Sequence, residues 1–200
     1  MGSGRPEEHA VHPKTTVLTV LRSGGEYTEE HVDRLRVQVG DQARFLCIRD
    51  VDMRYKFPGW WAKMEAFSLP GPILYMDLDT HIVGDLTPLL DAAQDHPFIG
   101  LRDFYRPNQL GTGLMAWNDD MWFLLQEFRR DPEGNMARCQ TAKRWGDQGF
   151  IDPLTPLRSH WQDILPGAVV SWKVDCKHGI PDGAAVVCFH GQPRPWDVGL

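Results

Sequence analysis

The stretch from Gly71 to His81 reads GPILYMDLDTH. Ile73 to Asp77 has the length and apolar character of a buried strand. Two aspartates, Asp77 and Asp79, then stand at its end with one residue between them. Like charges at a strand end repel, so a counter-charge is required: a divalent cation, or a nearby Lys or Arg.

Outward from this strand, the chain alternates between two periods. Thr15 to Leu21 (TTVLTVL) is rich in β-branched residues and reads as the first strand. SGGEY breaks it, and Thr28 can cap a helix that carries Val32, Leu35 and Val39 on one side. Arg44 to Ile48 is a second strand. Trp60, Met64 and Phe67 recur at helical spacing in WWAKMEAF. Beyond the opening stretch, Leu86 to Ala93 reads as a short helix, and Phe98 to Leu101 and Gly113 to Trp117 as strands. Asp119 or Asp120 can cap the helix MWFLLQEFRR. Ala168 to Ser171 and Val186 to Phe189 are the last strands. This alternation predicts an α/β domain with a mixed, mostly parallel sheet flanked by helices. In such sheets ligands bind beyond the carboxyl ends of the strands, where SGGEY and DLD both fall.

The chain has 200 residues, 42% hydrophobic and 24% charged, which suits one globular domain over residues 15–200. The opening MGSG reads as a tag scar and Arg5 to Lys14 as a loose N-terminus. No apolar run approaches the roughly 18 residues of a membrane span, and no leader pattern opens the chain, so a cytoplasmic location is expected. Cys47, Cys139, Cys176 and Cys188 are scattered without a CxxC pair, which favours reduced thiols. Cys176 and His178 lack zinc-ligand spacing. A net charge of −6 counts against a general nucleic-acid surface. The local cluster Arg129, Arg130, Arg138, Lys143 and Arg144 is either a solvated helix face or an anion-binding patch.

The D-x-D tripeptide occurs twice, as Asp50/Asp52 and Asp77/Asp79, so the pattern alone selects neither. The second pair follows the more apolar strand. On extended chain its side chains point the same way, which suits Mg²⁺ or Mn²⁺ sharing the site with phosphates. The alternative is one aspartate capping a turn and the other pairing with a base. The chain's end, VVCFHGQPRPW from Val186 to Trp196, supplies His190 as a candidate metal ligand, Gly191 for a close turn and Arg194 as a phosphate clamp. A structural histidine remains the competing reading.

These blocks together resemble the glycogenin-like retaining glycosyltransferases, the family 8-like branch of the nucleotide-diphospho-sugar transferases that includes bacterial lipopolysaccharide sugar transferases. VLTVLRSGGEY is similar to that family's first strand and nucleotide loop. WWAKMEAF with PILYMDLDTHIVGDL is similar to its lysine helix and metal motif. LGTGLMAWN resembles its Asn-Ser-Gly strand, WGDQGFID its Asp-Gln motif, and FHGQPRPW its His-x-x-Gly-x-x-Lys-Pro-Trp ending. The likeness spans about residues 15 to 197.

The resemblance implies a single-domain GT-A-like, Rossmann-like fold. It implies nucleotide-sugar contacts from Leu21, Arg22, Ser23, Tyr27 (stacking on uracil), Lys63, Asp77, Leu78, Gly111, Thr112, Gly191 and Arg194. It also implies Mn²⁺ or Mg²⁺ on Asp77, Asp79 and His190, with Asp147 and Gln148 positioning the transferring sugar. Three departures stand out. Gly111 replaces an asparagine, and Arg194 replaces a lysine while adding a planar fork. Cys188 aligns with the metal histidine, while His190 stands two places later. A thiolate suits a hard cation poorly, so His190 is the expected ligand, reached by period-two alternation along the strand.

The expected reaction is transfer of a hexose or pentose from a UDP-sugar to an acceptor hydroxyl, with retention. The acceptor stays open among a glycan, a lipid-linked sugar, a protein and a hydroxymethylated DNA base. A metal-dependent nucleotide-sugar phosphohydrolase and an inactive nucleotide-sugar binding module are the alternatives. Arg22 and Asp103 are weaker site candidates, and the Gly59-Trp60-Trp61 segment is a candidate for shaping the cleft.

Overall fold

The computed structural model describes residues 15–200; the tag scar and loose segment read at residues 1–14 lie outside them. In chain order the elements are β1 (Thr16–Val20), α1 (Glu29–Val39), β2 (Arg44–Ile48), a 3-10 helix (Gly59–Ser68), β3 (Ile73–Met76), β4 (Thr80–Ile82), α2 (Thr87–Asp95), β5 (Phe98–Arg102) and β6 (Leu110–Trp117). They continue with α3 (Trp122–Arg130), α4 (Pro132–Arg138), α5 (Gly146–Ile151), β7 (Ser159–His160), α6 (Trp161–Ile164), β8 (Val169–Ser171) and β9 (Val186–Cys188).

Six strands form the main sheet in the order β2-β1-β3-β6-β5-β7. β1 pairs in parallel with β2 and β3, and β5 with β7, while β6 runs antiparallel between β3 and β5. The sheet is therefore mixed, with β6 alone reversed. A smaller sheet, β4-β9-β8, lies beside it.

All four residues of β3 are buried, as a strand covered on both faces requires. Alternation divides its neighbours between two cores. Val17, Leu74 and Ala116 face the core shared with α1 and α2, where Val32, Leu35, Val39 and Leu89 pack. Leu18, Tyr75 and Met115 face the other, under the 3-10 helix and α3, with Met64, Phe67 and Phe128. Full burial of one such side chain contributes roughly 1.5–3 kcal/mol. A one-residue slip would exchange the two sets, so the register is strongly specified.

Three local readings change. The WWAKMEAF segment is a 3-10 helix, and Trp60 is 56% exposed while Trp61 fills the buried place. Asp120 does not sit at the α3 N-cap; its carboxylate accepts from the Trp122 N–H at 2.7 Å, just ahead of the helix. β3 ends at Met76, and Asp77 to Asp79 form a turn closed by Thr80 N–H donating to the Asp77 carbonyl at 3.0 Å. The turn, rather than strand alternation, orients the two carboxylates.

Candidate active site

A cleft of ≈720 Å³ opens beyond the carboxyl ends of β1 and β3. Val20, Arg22 and Ser23 line it at the end of β1, whereas the Leu21 side chain is 6% exposed and packs in the core. Strand alternation sends Leu21 inward, so the nucleotide contact expected of it does not come from its side chain. Arg22 is ion-paired with Asp50 and donates from Nε to the Phe57 carbonyl at 3.2 Å. Ser23 N–H donates to Asp50 Oδ2 at 3.0 Å, and Asp52 Oδ2 accepts from Arg49 N–H at 3.0 Å. The first D-x-D therefore shapes loops and does not enter the cleft.

Lys63 projects from the buried side of the 3-10 helix into the second pair. Its Nζ lies 3.0 Å from Asp77 Oδ2 and 2.7 Å from Asp147 Oδ2, and 3.3 Å from both the Thr112 carbonyl and Oγ1. Thr112 Oγ1 in turn donates to Asp147 Oδ2 at 2.7 Å. Burial by itself would lower the Lys63 pKa, but Asp147 and Asp77 outweigh it and hold the ammonium well above its usual range. The Tyr75 hydroxyl donates to Asp77 Oδ1 at 2.7 Å, and burial followed by the Asp77 charge raises its pKa.

Asp79 meets a different cation. Its Oδ2 accepts from the Tyr27 hydroxyl at 3.1 Å and from Arg194, whose Nε and Nη2 bind Glu26 at 2.8 and 2.7 Å. The Arg194 guanidinium lies 5.4 Å from the Tyr27 ring centroid. Burial, then the neighbouring Asp77 charge, push the Asp79 carboxyl up to about 6 despite the lowering pull of Arg194. The counter-charge demanded by the two aspartates is thus met by Lys63 and Arg194, residues far apart in sequence.

His190 does not join them. β9 ends at Cys188, so alternation does not carry on to residue 190. His190 Nε2 pairs with Ser171 Oγ at 2.7 Å, and its ring stacks on Phe104 with centroids 5.7 Å apart. Cys188 is the residue near the aspartates: burial first, then Asp79 and Asp77, raise its thiol pKa. Among the described residues no three His, Cys, Asp or Glu side chains gather as a metal site. The two carboxylates still suit a hard cation that completes its shell with substrate oxygens and water. Oδ1 of Asp79 accepts no hydrogen bond among the described residues, and the Asp77 side chain is 30% exposed.

Leu78, Gly111, Thr112, Gln148 and Gly191 all line the cleft. A Cβ at Gly111 would come within 3.1 Å of Leu101 Cβ, a tight fit for the asparagine of the resembled family. Asp103 accepts from the N–H groups of Tyr105 and Arg106 at 2.9 and 2.7 Å, so it turns its loop.

Arg34 and Gln38, one turn apart on α1, are missing from the sequence reading. Arg34 Nη2 donates to the Leu78 and Thr80 carbonyls at 2.6 and 3.2 Å, and Gln38 Oε1 accepts from Ile82 N–H at 3.1 Å. They fix the backbone on either side of Asp79. Their i, i+4 polar pairing was visible, but nothing in it pointed to a turn more than 40 residues on. The basic cluster is a solvated face in part: Arg130 pairs with Glu127, Arg138 with Asp131, and Arg129 lies over Tyr55.

The fold is similar to that of solved glycosyltransferases. The crystal structure of the glycosyltransferase GlyE from Streptococcus pneumoniae matches with a TM-score of 0.53 at 13% identity, covering 92% of this chain and 56% of that one. Its apo form matches with a TM-score of 0.57 at 12% identity and the same coverage. The chain thus spans about half the length of the structures it resembles. No protein-family model matches the chain, and no curated protein matches it in sequence. No helix among the described residues is long and apolar enough to cross a membrane.

Proposed function

We propose that the protein is a metal-dependent, retaining glycosyltransferase that moves a sugar from a UDP-sugar to an acceptor hydroxyl. One observation carries this reading: Asp77, Asp79, Lys63, Asp147 and Arg194 converge in one cleft at the carboxyl ends of β1 and β3. The glycosyltransferase fold is its background.

Asp77 and Asp79 would hold Mn²⁺ or Mg²⁺, which when bound neutralises charge on the diphosphate. Breaking the sugar–phosphate bond leaves negative charge on the departing phosphate. Lys63, already fixed by two carboxylates, and Arg194, held by Asp79 and Glu26, bring positive charge to it without waiting for solvent to reorganise. Tyr27 offers its ring to the base. Asp147 and Gln148, at the start of α5, orient the sugar from the cleft wall. Ser23, Gly24 and Gly25 line the same space.

The test is differential scanning fluorimetry with UDP and Mn²⁺, followed by mass spectrometry of products from a UDP-sugar panel. UDP at 100 times its Kd contributes about 2.7 kcal/mol, hence a rise of roughly 5–11 °C for a domain of this size. Folded protein with no response to UDP plus Mn²⁺ removes the proposal. A second reading, an inactive nucleotide-sugar binding module, is favoured by the ion pairs that occupy Oδ2 of both aspartates. It predicts the thermal shift without product.

A further inference from the structure

Four aromatic side chains are largely exposed among the described residues: Trp60, Tyr105, Phe123 and Trp145. Three of them, Trp60 at 56%, Tyr105 at 64% and Trp145 at 54%, line the same cleft, while Phe123 does not. A single exposed aromatic is ordinary, but several gathered on one cleft mark a binding surface. These three come from separate segments that the fold draws together. Trp60 lies over the Gly146 backbone, where a Cβ would meet its Nε1 at 3.4 Å. Gly146 has a φ of 60°, which favours glycine, and directly joins Trp145 to Asp147. The Tyr105 loop is tied to the loop before Trp145 by Arg106 Nη1, which donates to the Ala142 carbonyl at 3.0 Å.

The charge in the cleft narrows the occupant. Its lysine and arginines are all engaged: Arg22 by Asp50, Lys63 by Asp77 and Asp147, Arg194 by Glu26 and Asp79. Against these three cations the lining carries five carboxylates, from Glu26, Asp77, Asp79, Asp103 and Asp147. A polyanion such as DNA needs unpaired cations along its path; the cleft lining supplies none, and Arg106, Lys143 and Arg144, which flank Tyr105 and Trp145, lie outside that lining. A pyranose ring fits the combination: its C–H face covers an indole and its rim of hydroxyls meets the polar lining, next to the transferring sugar held by Asp147 and Gln148.

We propose that Trp60, Trp145 and Tyr105 form an acceptor subsite for a neutral pyranose, so that the acceptor is a glycan. The assignment rests on the transfer reading above for its purpose, though not for its binding chemistry. Isothermal titration of the whole chain with maltotetraose, cellotetraose, chitotetraose and a hydroxymethylated DNA duplex tests it, with UDP plus Mn²⁺ measured on the same samples. At least one tetrasaccharide binds, and Trp60→Ala, Trp145→Ala and Tyr105→Ala each weaken it about tenfold, the loss of one aromatic contact. The thermal response to UDP plus Mn²⁺ stays unchanged in these variants, which also shows them folded. Binding of no tetrasaccharide, unaltered binding by all three variants, or preference for the duplex overturns the subsite. Loss of the UDP response in the unmodified protein overturns the transfer reading instead and leaves the tetrasaccharide result to decide the subsite.

Discussion

Replacing Lys63 with methionine keeps the length of the side chain and removes the charge between two carboxylates. Lys63 is 6% exposed, and its Nζ stands 3.0 Å from Asp77 and 2.7 Å from Asp147. At an effective dielectric of about 20, each contact is worth about 5–6 kcal/mol of Coulomb attraction. Most of that is offset by the cost of taking the ions out of water, so the gross figure is not the expected loss. Breaking a buried pair leaves an uncompensated charge, and the expected loss is about 3–5 kcal/mol. For a domain of this size that corresponds to a melting temperature lower by roughly 6–20 °C. Urea denaturation gives the free energy directly, and the double variant Lys63→Met/Asp147→Asn gives the cause. If the loss arises from a stranded carboxylate, neutralising Asp147 in the Lys63→Met background restores about 1 kcal/mol or more. A Lys63→Met loss below about 1 kcal/mol, or a double variant no more stable than the single one, refutes the reasoning. Such an outcome means the ammonium is solvated and the two aspartates do not depend on it.

Two more outcomes test other parts of the site. Arg34→Met removes the donor to the Leu78 and Thr80 carbonyls without touching the cleft, so the apparent affinity for UDP plus Mn²⁺, read from thermal shifts across a UDP titration, falls more than tenfold while the fold survives; an unaltered ligand response shows that the turn holds Asp79 without it. His160 has its pKa lowered by burial, then by Arg102 and Arg158. The unfolded chain therefore takes up that proton first, and stability falls as pH drops through about 6.5. His160→Gln flattens the urea midpoint between pH 7 and pH 5, and equal slopes in the two proteins exclude this histidine as the cause.

Much of the fold was legible because it depends on local pattern. The β-branched run ahead of SGGEY, the RFLCI strand and the Val32, Leu35, Val39 face of α1 occupy the places their periodicity gave them. The reading failed where the backbone left its regular period. Met64 and Phe67 are buried as their spacing required, but the segment winds as a 3-10 helix buried from Trp61 to Phe67, and Trp60 at its start stays exposed. His190 faces Ser171 because β9 stops two residues earlier. β4, α5 and β7 are too short to carry a periodic signal.

The sequence by itself determined that apolar strands alternate with helices and that carboxylates stand at a strand end needing a counter-charge. A strand's burial and a like-charge conflict are both local properties, written into neighbouring residues. Which cations answer the conflict was decided only by the tertiary structure. Lys63 and Arg194 reach Asp77 and Asp79 across 14 and 115 residues of chain. The same packing left Asp50 to hold a loop and brought Trp60 against Gly146. A tripeptide repeated twice in one chain acquires different roles because the sheet delivers one copy to the cleft and the other to a loop.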